Sequence, residues 1–282
     1  MFTPFAFVQQ AAAAGAANGP LTAAFIAVAG ITGSANIQGL NDLETGIDTY
    51  GLTSKLTCVY PLMGGNSTST SYNFMNTSLY RITWSGNLTY YINGVQSTGY
   101  GNAKGETGIA ASSLSVAEGH HTAQIVTDES PGTWNGVNYP SEWGCSGDPY
   151  NTSLSQYYGN LWGNNGLQVA YPCNKDTGQG DGSLNNGAQA TALGIWTMSR
   201  TSASNLFLMR NNSVFQTNTV TLSNRSYNGG LTDLALLTRG TAYSPRRQSF
   251  VTIGVGTGTG LTTAQANDLY ALITAFNTTI GR

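Results

Sequence analysis

The chain has 282 residues with 11 basic and 13 acidic side chains, a net charge of -2, and only 9% of its residues charged. Soluble domains typically carry about a quarter, so this surface is neutral and hydrogen-bonding, without the basic excess that nucleic acid requires. No run approaches the roughly 20 apolar residues of a membrane helix, and the composition suits a packed shell, a fibre or a glycan-facing module more than a cytosolic metabolic enzyme.

The chain opens on a neutral, apolar arm, residues 1–20. Met1-Phe-Thr-Pro-Phe-Ala-Phe-Val has no basic start and runs into Ala11–Asn18, and no charged side chain appears before Asp42. That pattern does not read as a secretory signal. The arm is either a disordered tail or a segment that orders against a neighbouring subunit, where burial would offset the ordering entropy.

Pro20–Ala29 is predicted to be a short helix ending at Gly30. Ser34 is predicted to cap a second helix, whose stripe Ile37, Leu40, Leu43, Ile47 and Tyr50 ends at Gly51. Asp42, Glu44 and Asp48 share that segment. Glycoside hydrolases need two carboxylates opposed across the scissile bond, whereas Glu44 and Asp48 lie four apart on a helix, so they are expected to be solvated surface.

From Leu56 to Thr98 the pattern turns to strands. Thr57–Tyr60, Tyr80–Trp84 and Leu88–Ile92 are β-rich, and Asn93-Gly94 signals a two-residue hairpin. Short strands broken by Gly and Asn argue a sandwich. No repeat and no linker divides the chain.

The stretch from about Glu118 to Gly187 is rich in aromatic residues and glycine, and it reads as an inserted loop region. Its rings, Trp134, Tyr139, Trp143, Tyr150, Tyr157, Tyr158, Trp162 and Tyr171, fit three uses: packing the loop onto a sheet, a protein interface, or stacking on sugar rings. Trp134, Tyr139, Trp143, Tyr150, Tyr157 and Trp162 are the candidate interface or glycan contacts. Cys145 and Cys173 could close a loop of about 28 residues, and whether they pair is open, whereas Cys58, in a β-rich segment, reads as a small core side chain. Zinc is not expected. There is no C-x-x-C, and His120 and His121 are adjacent, so on a strand they point to opposite faces. Asp176 and Asp181 read as turn residues rather than Ca²⁺ ligands. N-x-S/T sequons such as Asn66, Asn87 and Asn277 are about as frequent as chance allows in so much Asn, Ser and Thr.

The last third is the most structured reading. Asn205–Arg210 and Ser213–Gln216 flank Asn211-Asn212, whose tolerance of positive φ suits a hairpin. The pair Arg246-Arg247 reads as a solvated loop. Phe250–Gly254 is a buried strand, and Val255–Gly260 a flexible turn. Thr262 and Gln265 form a capping box for a helix with the stripe Ala266, Leu269, Tyr270, Ile273 and Phe276, closed by Gly281.

Phe250-Val-Thr-Ile-Gly254, the run Gly260 to Tyr270, Ala275-Phe276 and Thr279-Ile-Gly-Arg282 resemble the C-terminal signature of a family of concanavalin-A/laminin-G-like proteins of bacteriophage genomes. Phe25-Ile26, Ala29 to Thr32, Leu43, Tyr50 to Leu52, Ser54 to Leu56, Tyr60-Pro61 and Gly64-Gly65 are similar to its N-terminal order, and Ser199-Arg200-Thr201 with Asn211-Asn212 to its central hairpin. The resemblance covers about Leu21–Tyr100 and Gln189–Arg282. It implies an all-β fold with minor α: an antiparallel β-sandwich of jelly-roll type with N-terminal helices and a C-terminal helix, one domain over 21–282 behind the arm. It also implies a non-enzymatic structural protein of the virion, a head-surface decoration or tail component, and for such an assembled protein the arm 1–20 is favoured as an assembly segment that acts together with the loops. The expected partners are other virion proteins, in a homo-oligomer or larger assembly, with no cofactor and no catalytic residue. One fold hosts many functions, so a glycan-binding adhesion module on the virion is the alternative.

Overall fold

The computed structural model describes residues 17–98, 103–110, 113, 118–127, 143–145, 156–162, 166–173, 183–185, 191–202, 204–219, 233–239 and 242–282. Three helices stand at the two ends: α1 (Pro20–Ala29), α2 (Ser34–Thr49) and α3 (Thr263–Thr279). The early strands are β1 (Cys58–Tyr60), β2 (Thr83–Ser85), β3 (Leu88–Tyr91), β4 (Gly94–Ser97), β5 (Lys104–Glu106) and β6 (Gly119–Ile125). Next come β7 (Trp143–Cys145), β8 (Gln156–Trp162), β9 (Gly166–Cys173), β10 (Ser183–Asn185), β11 (Gly194–Ser202), β12 (Asn205–Arg210) and β13 (Ser213–Asn218). The last are β14 (Leu234–Leu236), β15 (Thr238–Arg239), β16 (Ala242–Tyr243) and β17 (Gln248–Val255).

They form two large antiparallel sheets. The first runs β13-β12-β11-β6-β17-β4-β3, with β1 also on β17; the second runs β10-β9-β8-β7-β14-β5-β2. Period-two alternation assigns each face of the first sheet to a different core. Cys58, Tyr60, Met198, Leu206, Leu208, Val251 and Ile253 face the second sheet and meet Trp143, Leu234 and Leu236. Val59, Phe207, Met209 and Phe250 face the other way, onto Phe25 of α1, Leu40, Leu43 and Ile47 of α2, and Leu269, Ile273 and Phe276 of α3. The molecule is an antiparallel β-sandwich of jelly-roll type with a third, helical layer on one sheet, and the central strands β6, β11 and β17 of the first sheet are buried on both faces.

Local chemistry explains the elements. Thr262 accepts from the Gln265 amide and the Gln265 side chain accepts from Thr262 N, the expected capping box. On α3 the buried stripe runs through Leu272, while Tyr270 is only half-buried. Gly39 and Gly46 of α2, seven apart, sit where a Cβ would run into Ile280 and Leu272, so α3 lies close against them. Asn211 takes φ 56° in the β12–β13 turn, and its side-chain oxygen accepts from Ile195 N at 3.0 Å, locking the hairpin to β11.

Several expectations need correction. Ser34 is the first helical residue of α2, and Gly33 precedes it without a side-chain cap. The β3–β4 turn is Ile92–Asn93, not Asn93–Gly94, since Tyr91 pairs with Gly94. The stretch read as an inserted loop holds five strands, β6 to β10. Of these, β6 lies at the centre of the first sheet between β11 and β17, although its sequence, Gly-His-His-Thr-Ala-Gln-Ile, has no apolar alternation to announce a strand.

Candidate functional site

Among the candidate contact residues, Trp134, Tyr139 and Tyr150 lie outside the described residues. Tyr157 and Trp162 belong by backbone to β8, in the second sheet. Trp143 is the correction: it is fully buried, and its ring stacks on His121 at 4.2 Å and 10° between the two sheets. Its area is spent on the sandwich core, so it offers no face to a glycan or a partner.

Cys145 and Cys173 end strands on opposite sides of β8, because β7 pairs with one edge of β8 and β9 with the other. Two strand spacings are roughly 9.5 Å, whereas a disulfide holds its Cα atoms within about 7 Å. This pairing is therefore incompatible with the sheet. Cys58 is free and buried as expected, with its thiol pushed up to about 12 by desolvation.

The polar residues with chemical potential are built into the fold. Glu44, expected at the surface, is buried and accepts from Leu21 N at 3.0 Å and Thr22 N at 2.9 Å, so α2 supplies the cap that α1 lacks in its own sequence. Asn41 assists by accepting from Gly19 N at 3.1 Å. Asp42 and Asp48 are side-chain partners of Gln38 and Thr53 on the helix exterior. Glu142, Asp176 and Asp181 lie outside the described residues.

The two histidines do point to opposite sides of β6. His120 faces the α3 side: its Nδ1 lies 2.9 Å from Thr259 O and its Nε2 3.2 Å from Thr252 Oγ1. Burial pulls its pKa down to about 4, and the same cause holds His121 well below the ordinary range. Among the described residues no group of three His, Cys, Asp or Glu side chains is arranged to hold a metal.

The glycine segment between β17 and α3 is not a free turn. Ser199 Oγ donates to Leu261 O at 2.8 Å and accepts from Leu261 N at 2.7 Å. Lys55 Nζ donates to Gly258 O at 2.5 Å, Glu118 accepts from Gly258 N at 2.5 Å, and a Cβ on Gly260 would collide with Arg200 O. Glycine content alone predicted flexibility, and these partners are sixty or more residues away in sequence.

Arg246-Arg247 is also different from expectation. Arg246 is 1% exposed, and Arg247 is half-buried with its guanidinium 4.6 Å above the Tyr91 ring. Next to it, Arg282 donates to Pro61 O, Leu62 O, Ser249 O and Ile92 O at 2.9–3.4 Å. Desolvation first, and then the Arg247 charge, lower Arg282 to about 10. One signal was readable: two consecutive residues leading into a strand point to opposite faces, so one of the pair had to turn inward.

No family model matches the chain, and no curated protein does. Solved structures share its fold. Trypanosoma rangeli sialidase in complex with the inhibitor DANA aligns with a TM-score of 0.53 at 9% identity, over 76% of this chain and 32% of that one. The same sialidase with sialic acid gives 0.50 at 8%, over 83% and 38%. The binding domain of Botulinum neurotoxin DC, solved with rat synaptotagmin II, gives 0.53 at 10%, over 79% and 52%. This chain thus spans about a third of the sialidase and about half of the toxin domain, and the likeness establishes the sandwich fold.

Proposed function

We propose that the chain is a non-enzymatic structural component of a bacteriophage particle, a head-surface decoration or tail protein that assembles through its N-terminal arm and loops. The observation that carries the non-enzymatic part is the use of the reactive side chains among the described residues. Glu44 caps a helix, His120 and Ser199 pin a loop, and His121 fills the core against Trp143. Catalysis needs a base or nucleophile poised at an open cleft, and these groups are committed elsewhere.

The phage part rests on the resemblance at the two ends of the chain. Those two segments supply α1, α2, α3 and every strand of the first sheet except β6, and they meet where β17 pairs with β1 and β4 and in the core under the helices, rather than standing as two scattered matches. Immunogold labelling of density-purified particles with an antibody to this chain tests the reading. Label on particles after a high-salt wash is expected; its retention only in the unassembled fraction would overturn it.

A glycan-binding adhesion module on the same particle is the second reading. It draws support from the fold likeness to a sialidase solved with a bound sugar acid and from the half-buried cationic corner at Arg247. Both readings expect no hydrolysis of polysaccharides or esters by the purified chain, and turnover that vanished in Glu44→Gln or His120→Gln would contradict both.

A further inference from the structure

Arg247 and Arg282 converge on the same two residues: the Arg247 guanidinium lies 4.6 Å over the Tyr91 ring, and Arg282 donates to Ile92 O at 3.3 Å. Like charges in a half-buried position repel and cost desolvation unless something compensates them. Arg282 is compensated by four carbonyl oxygens. Arg247 is not: its Nε is buried without a hydrogen-bond partner, and among the described residues no ion pair joins either arginine to a carboxylate. The Arg247 side chain crosses Gly94, where a Cβ would press on its Cγ, and it comes to rest over Tyr91. Beside the pair stands Ile92, 76% exposed.

A planar fork with unused donors, lying on an aromatic ring, is preorganised for a planar, two-oxygen anion. We propose that the Arg247–Tyr91–Arg282 corner binds the carboxylate of an acidic polysaccharide, one uronate unit at a time. A nucleic acid presents a continuous row of phosphates and needs a basic stripe, which a chain of net charge -2 lacks. A polysaccharide with isolated carboxylates among neutral hydroxyls matches a cationic corner on a chain with few charges and much Asn and Ser. The inference rests on the glycan-binding reading above and gives it a substrate class.

The test is calorimetric titration of the full chain with oligogalacturonate, with dextran as the neutral control and dextran sulfate as the sulfated one. Oligogalacturonate is expected to bind, more weakly as NaCl rises, and dextran not to. Arg247→Ala should weaken binding by about 10-fold or more, as for a charge-assisted pair, and Arg247→Lys should restore part of it. Arg247→Met keeps the alkyl packing on Tyr91 and serves if the alanine variant is unstable. Binding unchanged in Arg247→Met would remove the site while leaving the glycan reading standing. Arg247-dependent preference for dextran sulfate would overturn the carboxylate assignment. Failure of the wild-type chain to bind any of the three, or any sugar on a glycan array, would remove both the site and the glycan reading.

Discussion

Glu44 shows how a single side chain can join two helices. Its carboxylate takes the amides of Leu21 and Thr22, which α1 cannot satisfy because Gly19 and Pro20 offer no side-chain acceptor. Loss of such a cap costs about 1–2 kcal/mol, so Glu44→Ala should lower the urea midpoint accordingly while Asp48→Ala, on the exterior, changes it little. Trp143 is a second case. With its ring fully buried against His121, Trp143→Ala should cost about 3–5 kcal/mol in the isolated chain; a folded variant of near wild-type stability, measured by the same denaturation, would contradict its place in the core. Neither role was legible from spacing. Glu44 reads as surface because helical period reports only which face is apolar, and a carboxylate that reaches 23 residues back to another helix leaves no local mark. Trp143 sits among turn-formers that hide its strand.

Elements with local causes were the readable ones. The capping box of α3, the Asn211–Asn212 turn, and the Pro20 start signal and Gly30 stop of α1 are local to their elements, and the structure has them where the sequence places them. The closing residue Gly281 takes φ 74° as a left-handed cap should. Thr262→Ala should therefore cost about 1 kcal/mol without altering the fold, seen as a lower midpoint with an unchanged far-UV spectrum. The Gly256–Leu261 segment is the counter-example. Its order comes from Lys55, Glu118, His120 and Ser199, all distant in sequence, and Gly260→Ala should be more damaging than any cap deletion because the new methyl meets backbone rather than a movable side chain. β6 was missed for a related reason: a strand covered on both faces has no polar–apolar alternation to display, and its His120 and Thr122 are bonded to the neighbouring strands β17 and β11 rather than along the chain.

For the whole molecule the two histidines predict a pH dependence. Both have folded pKa values below the unfolded 6.5, His120 at about 4, with burial as the main cause. Between those values the unfolded chain binds more protons than the folded one, so their contribution to stability is complete above about pH 6.5 and is lost as pH falls toward 4. Melting temperatures measured at pH 7.5, 5.5 and 4.5 should decline in that order. His121→Phe, which keeps a ring against Trp143, should flatten the decline; an identical slope in that variant would place the titration elsewhere.

The position of β17 bears on how the chain is made. It lies between β6 on one side and β1 and β4 on the other, and it joins strands from the first half of the chain that do not otherwise meet. A ribosome must therefore synthesise the chain through Val255 before the larger sheet can close. High contact order of this kind slows folding and leaves strand edges open to other nascent chains. A chain stopped before Gln248 should stay protease-sensitive on the ribosome, and protection should appear only once β17 has cleared the exit tunnel, which makes late-emerging residues the kinetic bottleneck for yield.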